Sequence, residues 1–157
     1  MSIEIERKFL VKNEVYKSEY FKVSYIKQGF LNSDKNRVVR IRILDKLGYI
    51  TIKGISSKDG TSRFEWEKEI SINEASKLLD LCEKGIIEKN RFFVKKGKHV
   101  YEIDVFEGKN KGLVIAEIEL NDTFESFEKP NWLGDEVTGI SKYYNSELSK
   151  HPFSKWI

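Results

Sequence analysis

The sequence predicts a mainly β chain (α+β), with antiparallel strands and few helices. Three observations predict it. Apolar and polar residues alternate with period two over most of the 157 residues. The alternating segments are separated by short turn-forming stretches, and tightly linked strands pair antiparallel because parallel pairs need long crossovers. A clear helical period occurs in one place only.

The expected strands run over 2–9, 22–31, 36–44, 48–54, 63–70, 88–95, 100–107 and 112–120. In the first, Glu4, Glu6 and Lys8 face away from Ile3, Ile5 and Phe9. A weaker helix is expected over 13–20. Asn32-Ser33-Asp34 turns the second strand into the third, where Arg40 and Arg42 alternate with Val39, Ile41 and Ile43. Leu47-Gly48 turns into the fourth, which sets Lys53 opposite in parity to Ile50 and Ile52. After Asp59-Gly60, the fifth sets Glu65, Glu67 and Glu69 against Phe64, Trp66 and Ile70. A capping box, Ser71 as N-cap and Glu74 at N3, then opens the helix. Ala75, Leu78, Leu79 and Cys82 form its apolar face, and Gly85 is the expected C′ stop. Lys89 and Arg91 open the sixth strand, which turns at Lys96-Gly97-Lys98. The seventh alternates Glu102 and Asp104 with Tyr101, Ile103 and Val105; after Gly108-Lys109-Asn110, the eighth alternates Glu117 and Glu119 with Ala116, Ile118 and Leu120. Residues 121–150 are expected to be irregular with one or two short helices.

Composition narrows the function. The 39% hydrophobic and 13% aromatic content supports a packed core in one domain, 1–157. Charged residues reach 34%, but 28 Lys plus Arg against 25 Asp plus Glu leave a net charge of only +3. Wrapping nucleic acid needs a large cationic excess, so a nucleic-acid partner is not expected. No apolar run approaches the roughly 20 residues that span a bilayer, and MSIEIERKFL lacks a signal peptide's cationic start. The single Cys82 excludes an internal disulfide and points to a reduced, cytoplasmic protein. Cys82 is read as a core residue, the isolated His99 and His151 as surface positions, and Trp132 and Trp156 as packing residues. The tail from His151 to Ile157 is apolar enough to dock on the barrel or on a second copy, which admits a homodimer.

The polar faces of these strands are heavily ionised and carry few neutral polar residues. They also segregate by sign: Glu4/Glu6, Glu65/Glu67 and Glu117/Glu119 are acidic, whereas Arg40/Arg42 and Lys89/Arg91 are basic. Like charges two apart on a strand lie ~7 Å apart and repel. A wet surface has no need of such pairs, but a site binding a polyanion with cations does. If the strands close with this face inward, a dry core is excluded by the cost of burying charge. Glutamate pairs suit hard Mg²⁺ or Mn²⁺, and arginine and lysine pairs suit phosphate oxygens. Together they describe a phosphoryl-transfer site.

The opening Glu4-Ile5-Glu6-Arg7-Lys8 resembles the Glu-x-Glu-x-Lys signature of the CYTH proteins, or triphosphate tunnel metalloenzymes. The later marks follow in order: Gln28-Gly29, Arg40-Ile41-Arg42, Thr51-Ile52-Lys53-Gly54, Glu65-x-Glu67, Lys89-Asn90-Arg91, Glu102-Ile103-Asp104-Val105-Phe106, Ala116-Glu117-Ile118-Glu119 and Glu136-Val137-Thr138. The resemblance implies a closed eight-stranded antiparallel barrel, a tunnel in which triphosphates are hydrolysed with Mg²⁺ or Mn²⁺. It implies metal ligands at Glu4, Glu6, Glu117 and Glu119, with Glu65, Glu67 and Asp104 as further or supporting acids. It implies triphosphate-binding cations at Lys8, Arg40, Arg42, Lys53, Lys89 and Arg91, with Lys142 where relatives carry a basic residue. Lys8, beside the acidic pair, is also the expected catalytic residue, placed to move a proton or to act by its charge. Phe30 departs from the tyrosine of some relatives and so lacks their hydroxyl. Inorganic tripolyphosphate is the first expectation; a class IV adenylate cyclase or a thiamine or nucleoside triphosphatase is the alternative. Two rivals from other classes are a non-catalytic polyphosphate-binding module and a lipocalin-like carrier, which needs an apolar lumen.

Overall fold

The computed structural model describes residues 2–156. The strands are β1 (Ser2–Val11), β2 (Lys22–Asn32), β3 (Arg37–Leu44), β4 (Leu47–Gly54), β5 (Ser62–Ile70), β6 (Ile87–Lys96), β7 (His99–Phe106), β8 (Val114–Glu119) and β9 (Leu133–Glu136). The helices are α1 (Ile72–Leu79) and α2 (Asn145–Leu148). The sheet order β5-β4-β3-β2-β6-β7-β8-β1 is closed by a β5–β1 pairing, so eight antiparallel strands form a barrel and the expected fold class holds. β1 makes the closure by serving two neighbours in turn. Ser2–Ile5 pair with β5 and Glu6–Leu10 pair with β8. β9 adds outside, on the C-terminal half of β1.

The alternation places one face of each strand in the lumen. Each inner row runs from charged to apolar: Arg42, Arg40, Val38 on β3; Arg91, Lys89, Ile87 on β6; Glu119, Glu117, Ile115 on β8. The apolar ends meet as a buried cluster of Phe30, Val38, Ile87, Phe106 and Ile115, joined by Tyr143 and Leu148 from the C-terminal segment. One end of the lumen is therefore plugged and the charged belt lies above the plug. Outside the wall, Phe9, Tyr16, Val94, Tyr101, Ile103, Ala116, Ile118 and Trp132 form a second core. A third, around Ile41, Ala75 and Leu79, seats α1 on the barrel.

The capping box forms as expected: the Ser71 side chain accepts from Glu74 N and the Glu74 carboxylate accepts from Ser71 N. Gly48 lets α1 approach, because a Cβ there would stand 2.8 Å from the Ala75 Cβ. Four expectations are corrected. α1 ends at Leu79 with Asp80 as C-cap, and Gly85 lies beyond it, packed against the Ser149 carbonyl. Residues 13–20 hold only a 3-10 turn, Val15–Ser18, because a single buried residue, Tyr16, anchors it. Residues 121–150 contain a strand, β9, recruited by the free edge of β1. His99 is buried against Glu125 rather than exposed. The tail docks on the barrel: Trp156 packs on Tyr143 and Phe153, and Phe153 N donates to Asn110 Oδ1 at 2.8 Å. Among the described residues no helix is long and apolar enough to cross a membrane.

Candidate active site in the barrel lumen

The charged rows line one cavity of about 200 Å³. That lies below the roughly 300–1,000 Å³ of pockets that take drug-sized ligands. Glu4, Glu6, Lys8, Arg40, Arg42, Lys53, Glu65, Glu67, Lys89, Arg91, Glu102, Glu117 and Glu119 all line it. An apolar carrier lumen is thereby excluded.

Register explains the electrostatics. On the acidic wall, Glu6 stands opposite Glu119 and Glu117 opposite Glu102. Like charges directly opposite across strands destabilise a sheet. Burial, then repulsion from Glu117 and Glu4, pushes the Glu6 carboxyl up to about 8. Burial and the charges of Glu4 and Glu102 also raise Glu119. On the basic wall, burial and then Arg40 and Arg91 hold Arg42 down at about 10. The Nε atoms of Arg40 and Arg42 are buried with no hydrogen-bond partner. Buried guanidinium donors left unpaired are costly, and an anion would satisfy them.

Between the walls the charges interlock. Lys53 Nζ contacts Glu4 Oε1 at 3.0 Å and Glu65 Oε2 at 3.4 Å. Burial works to raise Glu4, but Lys53 overrides it and holds the carboxyl at about 2. Lys8 Nζ lies 3.6 Å from Glu117 Oε2 and 4.8 Å above the Tyr144 ring. Burial opposes its charge, yet Glu117 and Glu6 raise its pKa. Arg40 and Arg42 both reach Glu67, at 3.5 and 3.6 Å. Asp104 sits behind the lining, 1% exposed, in a bidentate pair with Arg91 (2.7 and 2.9 Å) and 2.8 Å from Lys89 Nζ. Despite burial, Arg91 and Lys89 hold it well below the usual carboxylate range. Asp104 therefore orients two cations and does not itself reach the cavity.

Lys142 is not brought in. It is exposed, with Nζ 4.6 Å from the Trp156 ring on the outside of the plug. Sequence reading missed Arg63, Thr138, Tyr144 and Asn145, all of which line the cavity. Arg63 was legible as the next inward residue of the Glu65/Glu67 row. Thr138 was legible as the end of the Glu136-Val137-Thr138 mark, whereas Tyr144 and Asn145 come from a non-repetitive segment with no periodicity to read. That segment is fixed by backbone contact: a Cβ on Gly60 would stand 2.3 Å from the Gly139 Cα, so the 57–60 and 137–140 turns touch.

Oxygen donors in like-charged opposed pairs suit a hard divalent cation. Among the described residues, no three acidic, His or Cys side chains are already gathered into a metal-ready cluster, since Glu4 and Glu117 are turned onto lysines.

The CYTH domain model matches residues 2–152. An inorganic triphosphatase of Acetivibrio thermocellus is 46% identical over 157 residues, covering 99% of each chain. Another, of Nitrosomonas europaea, is 31% identical over 150 residues, covering 93% of this chain and 96% of that one. The crystal structure of an inorganic triphosphatase superposes with a TM-score of 0.63 at 28% identity, over 93% of this chain and 97% of that one.

Proposed function

This chain belongs to the CYTH domain family, and on that premise we propose that it hydrolyses inorganic triphosphate to pyrophosphate and orthophosphate in the barrel lumen. The observation that carries the reading is one small cavity with acid facing acid on one wall and unpartnered, buried arginine donors on the other.

Arg40, Arg42, Lys53, Lys89 and Arg91, with Arg63, bind the phosphate oxygens and align the chain of three phosphorus atoms. Glu6 and Glu119, with Glu4 and Glu117, would hold the divalent cation, Mg²⁺ or Mn²⁺. Bound there, the metal supplies charge neutralisation and a more acidic water. Glu65 and Glu67 hold the cations Lys53, Arg40 and Arg42 in place, and Asp104 does the same for Lys89 and Arg91. A water oxygen bonds to the terminal phosphorus as the bond to the bridging oxygen breaks, the water's proton passes to solvent, and the basic wall takes up the charge on the departing pyrophosphate. Lys8, seated between Glu117 and the Tyr144 ring, stabilises that charge as an ammonium. Phe30 packs in the plug and contributes no hydroxyl.

The 46% identity to an inorganic triphosphatase favours a compact inorganic chain over a nucleotide or thiamine ester. Tripolyphosphate, ATP and thiamine triphosphate, each with Mg²⁺ or Mn²⁺ and each with chelator, test the proposal. Phosphate release from tripolyphosphate that chelator abolishes supports it. Cyclic AMP from ATP with tripolyphosphate left intact overturns it.

A further inference from the structure

We propose that Asn145 is a positioning residue that aims Lys89 at the substrate, an inference that rests on the triphosphatase reading above. Lys89 is almost fully buried, and its ammonium has three N–H bonds to place. One goes to Asp104 Oδ2 at 2.8 Å and a second to Asn145 Oδ1 at 3.0 Å. No further side-chain acceptor among the described residues takes the third; Nζ stands 5.3 Å over the Phe106 ring, and Lys89 lines the cavity. Lysine is a point charge on a flexible stem, so a second fixed acceptor decides where its remaining donor points.

Asn145 is itself held. Gln28 Nε2, from the buried inner face of β2, donates to the same Oδ1 at 3.1 Å. Asn145 opens α2, which Leu148, 0% exposed, anchors in the plug. The preceding residue, Tyr144, seats Lys8, so two consecutive residues of the C-terminal segment each meet a lumen lysine. The amide is the right chemistry for position 145. It accepts from Lys89 without adding a carboxylate beside Asp104 in a lumen that must admit a polyanion. A hydrocarbon of the same size would pack equally well and accept nothing.

The test is a double-mutant cycle of Asn145→Leu and Lys89→Met, with KM and kcat for tripolyphosphate and, for every variant, tripolyphosphate binding in chelator. Asn145→Leu raises KM about tenfold or more, since small misplacements at a reacting centre are costly, and changes kcat less. On the Lys89→Met background the same change leaves binding within about twofold, because coupled residues do not add. Asn145→Asp keeps the acceptor, and its KM rises less in high salt than in low salt. An unchanged KM in Asn145→Leu, or equal losses of binding on both backgrounds, overturns the inference. If Asn145→Leu does not fold, Asn145→Ala carries the same cycle. Wild-type protein inert toward tripolyphosphate would instead sink the functional reading, so the two failures are distinguishable.

Discussion

The two sides of the barrel wall treat charge differently. Outside, ion pairs are complementary: Arg7 meets Glu136 in a bidentate contact at 2.6 and 2.8 Å, and Lys96 meets Glu19 at 3.0 Å. Inside, complementary pairs such as Lys53–Glu4 and Arg91–Asp104 share the space with like charges, Glu6 set against Glu119 and Glu102 against Glu117. Arg40 and Arg42 stand two residues apart with their Nε atoms unpartnered. The outer pairs serve the fold. The like-charged inner pairs work against it even though opposite charges interlock beside them, and a site that keeps such repulsion gives up stability that a ligand can restore.

The largest way to break this contrast is Glu119→Ala. It is expected to lower tripolyphosphate turnover by at least about a hundredfold, as loss of a key electrostatic group does. Its melting temperature should stay level or rise, because a repelling carboxylate is gone. A large fall in both would make the inner acids structural and the contrast false.

Next comes Arg40→Ala. A charge-assisted hydrogen bond is worth about 1.5–3 kcal/mol, so KM for tripolyphosphate should rise at least about tenfold. Tripolyphosphate in chelator should also raise the melting temperature of the wild type, by an equivalent of about 2.7 kcal/mol at one hundred times Kd. Arg40→Ala should need a higher concentration for the same shift in differential scanning fluorimetry.

On the outer side, Glu14→Gln, which releases the exposed Lys17 held at 2.9 Å, should cost little stability, as loss of an exposed pair does, and leave kcat unchanged. Chemical denaturation and steady-state assay read the two separately.

The smallest effect concerns acid. Hydrogen bonding from Asn121 N and His99 holds Glu125 at about 2, below its ordinary 4.5. A carboxyl depressed by folding contributes stability above its unfolded value and loses it as pH falls through the folded one. The stability gap between wild type and Glu125→Gln should therefore be full above about pH 5 and close between about pH 4.5 and 2. Urea titrations across that range check the sign, and a gap that widens toward acid would refute it.

Legibility in the sequence followed the strength of local pattern. The eight strands of the wall and α1 were readable because alternation and a capping box are short-range signals. β9 was not, because Leu133–Glu136 becomes a strand only where β1 runs on past its pairing with β5 and leaves that edge free. Cavity-lining residues on strands were readable for the same reason, since Glu4, Arg40 and Glu119 share inward parity. Lys142 and Asn145 show the failure. Both lie in an aperiodic segment, where one is turned out onto Trp156 and the other in onto Lys89.

The amino-acid order by itself determined which face of every strand carries charge and which carries the core, because side chains alternate on a pleated chain whatever it pairs with. Only the tertiary structure decided which charges confront one another. Register and closure bring Glu6 to Glu119 across more than a hundred residues, and the plug cuts the lumen to a short cavity. Coulomb energy depends on distances between groups remote in sequence, and those distances do not exist until the barrel closes.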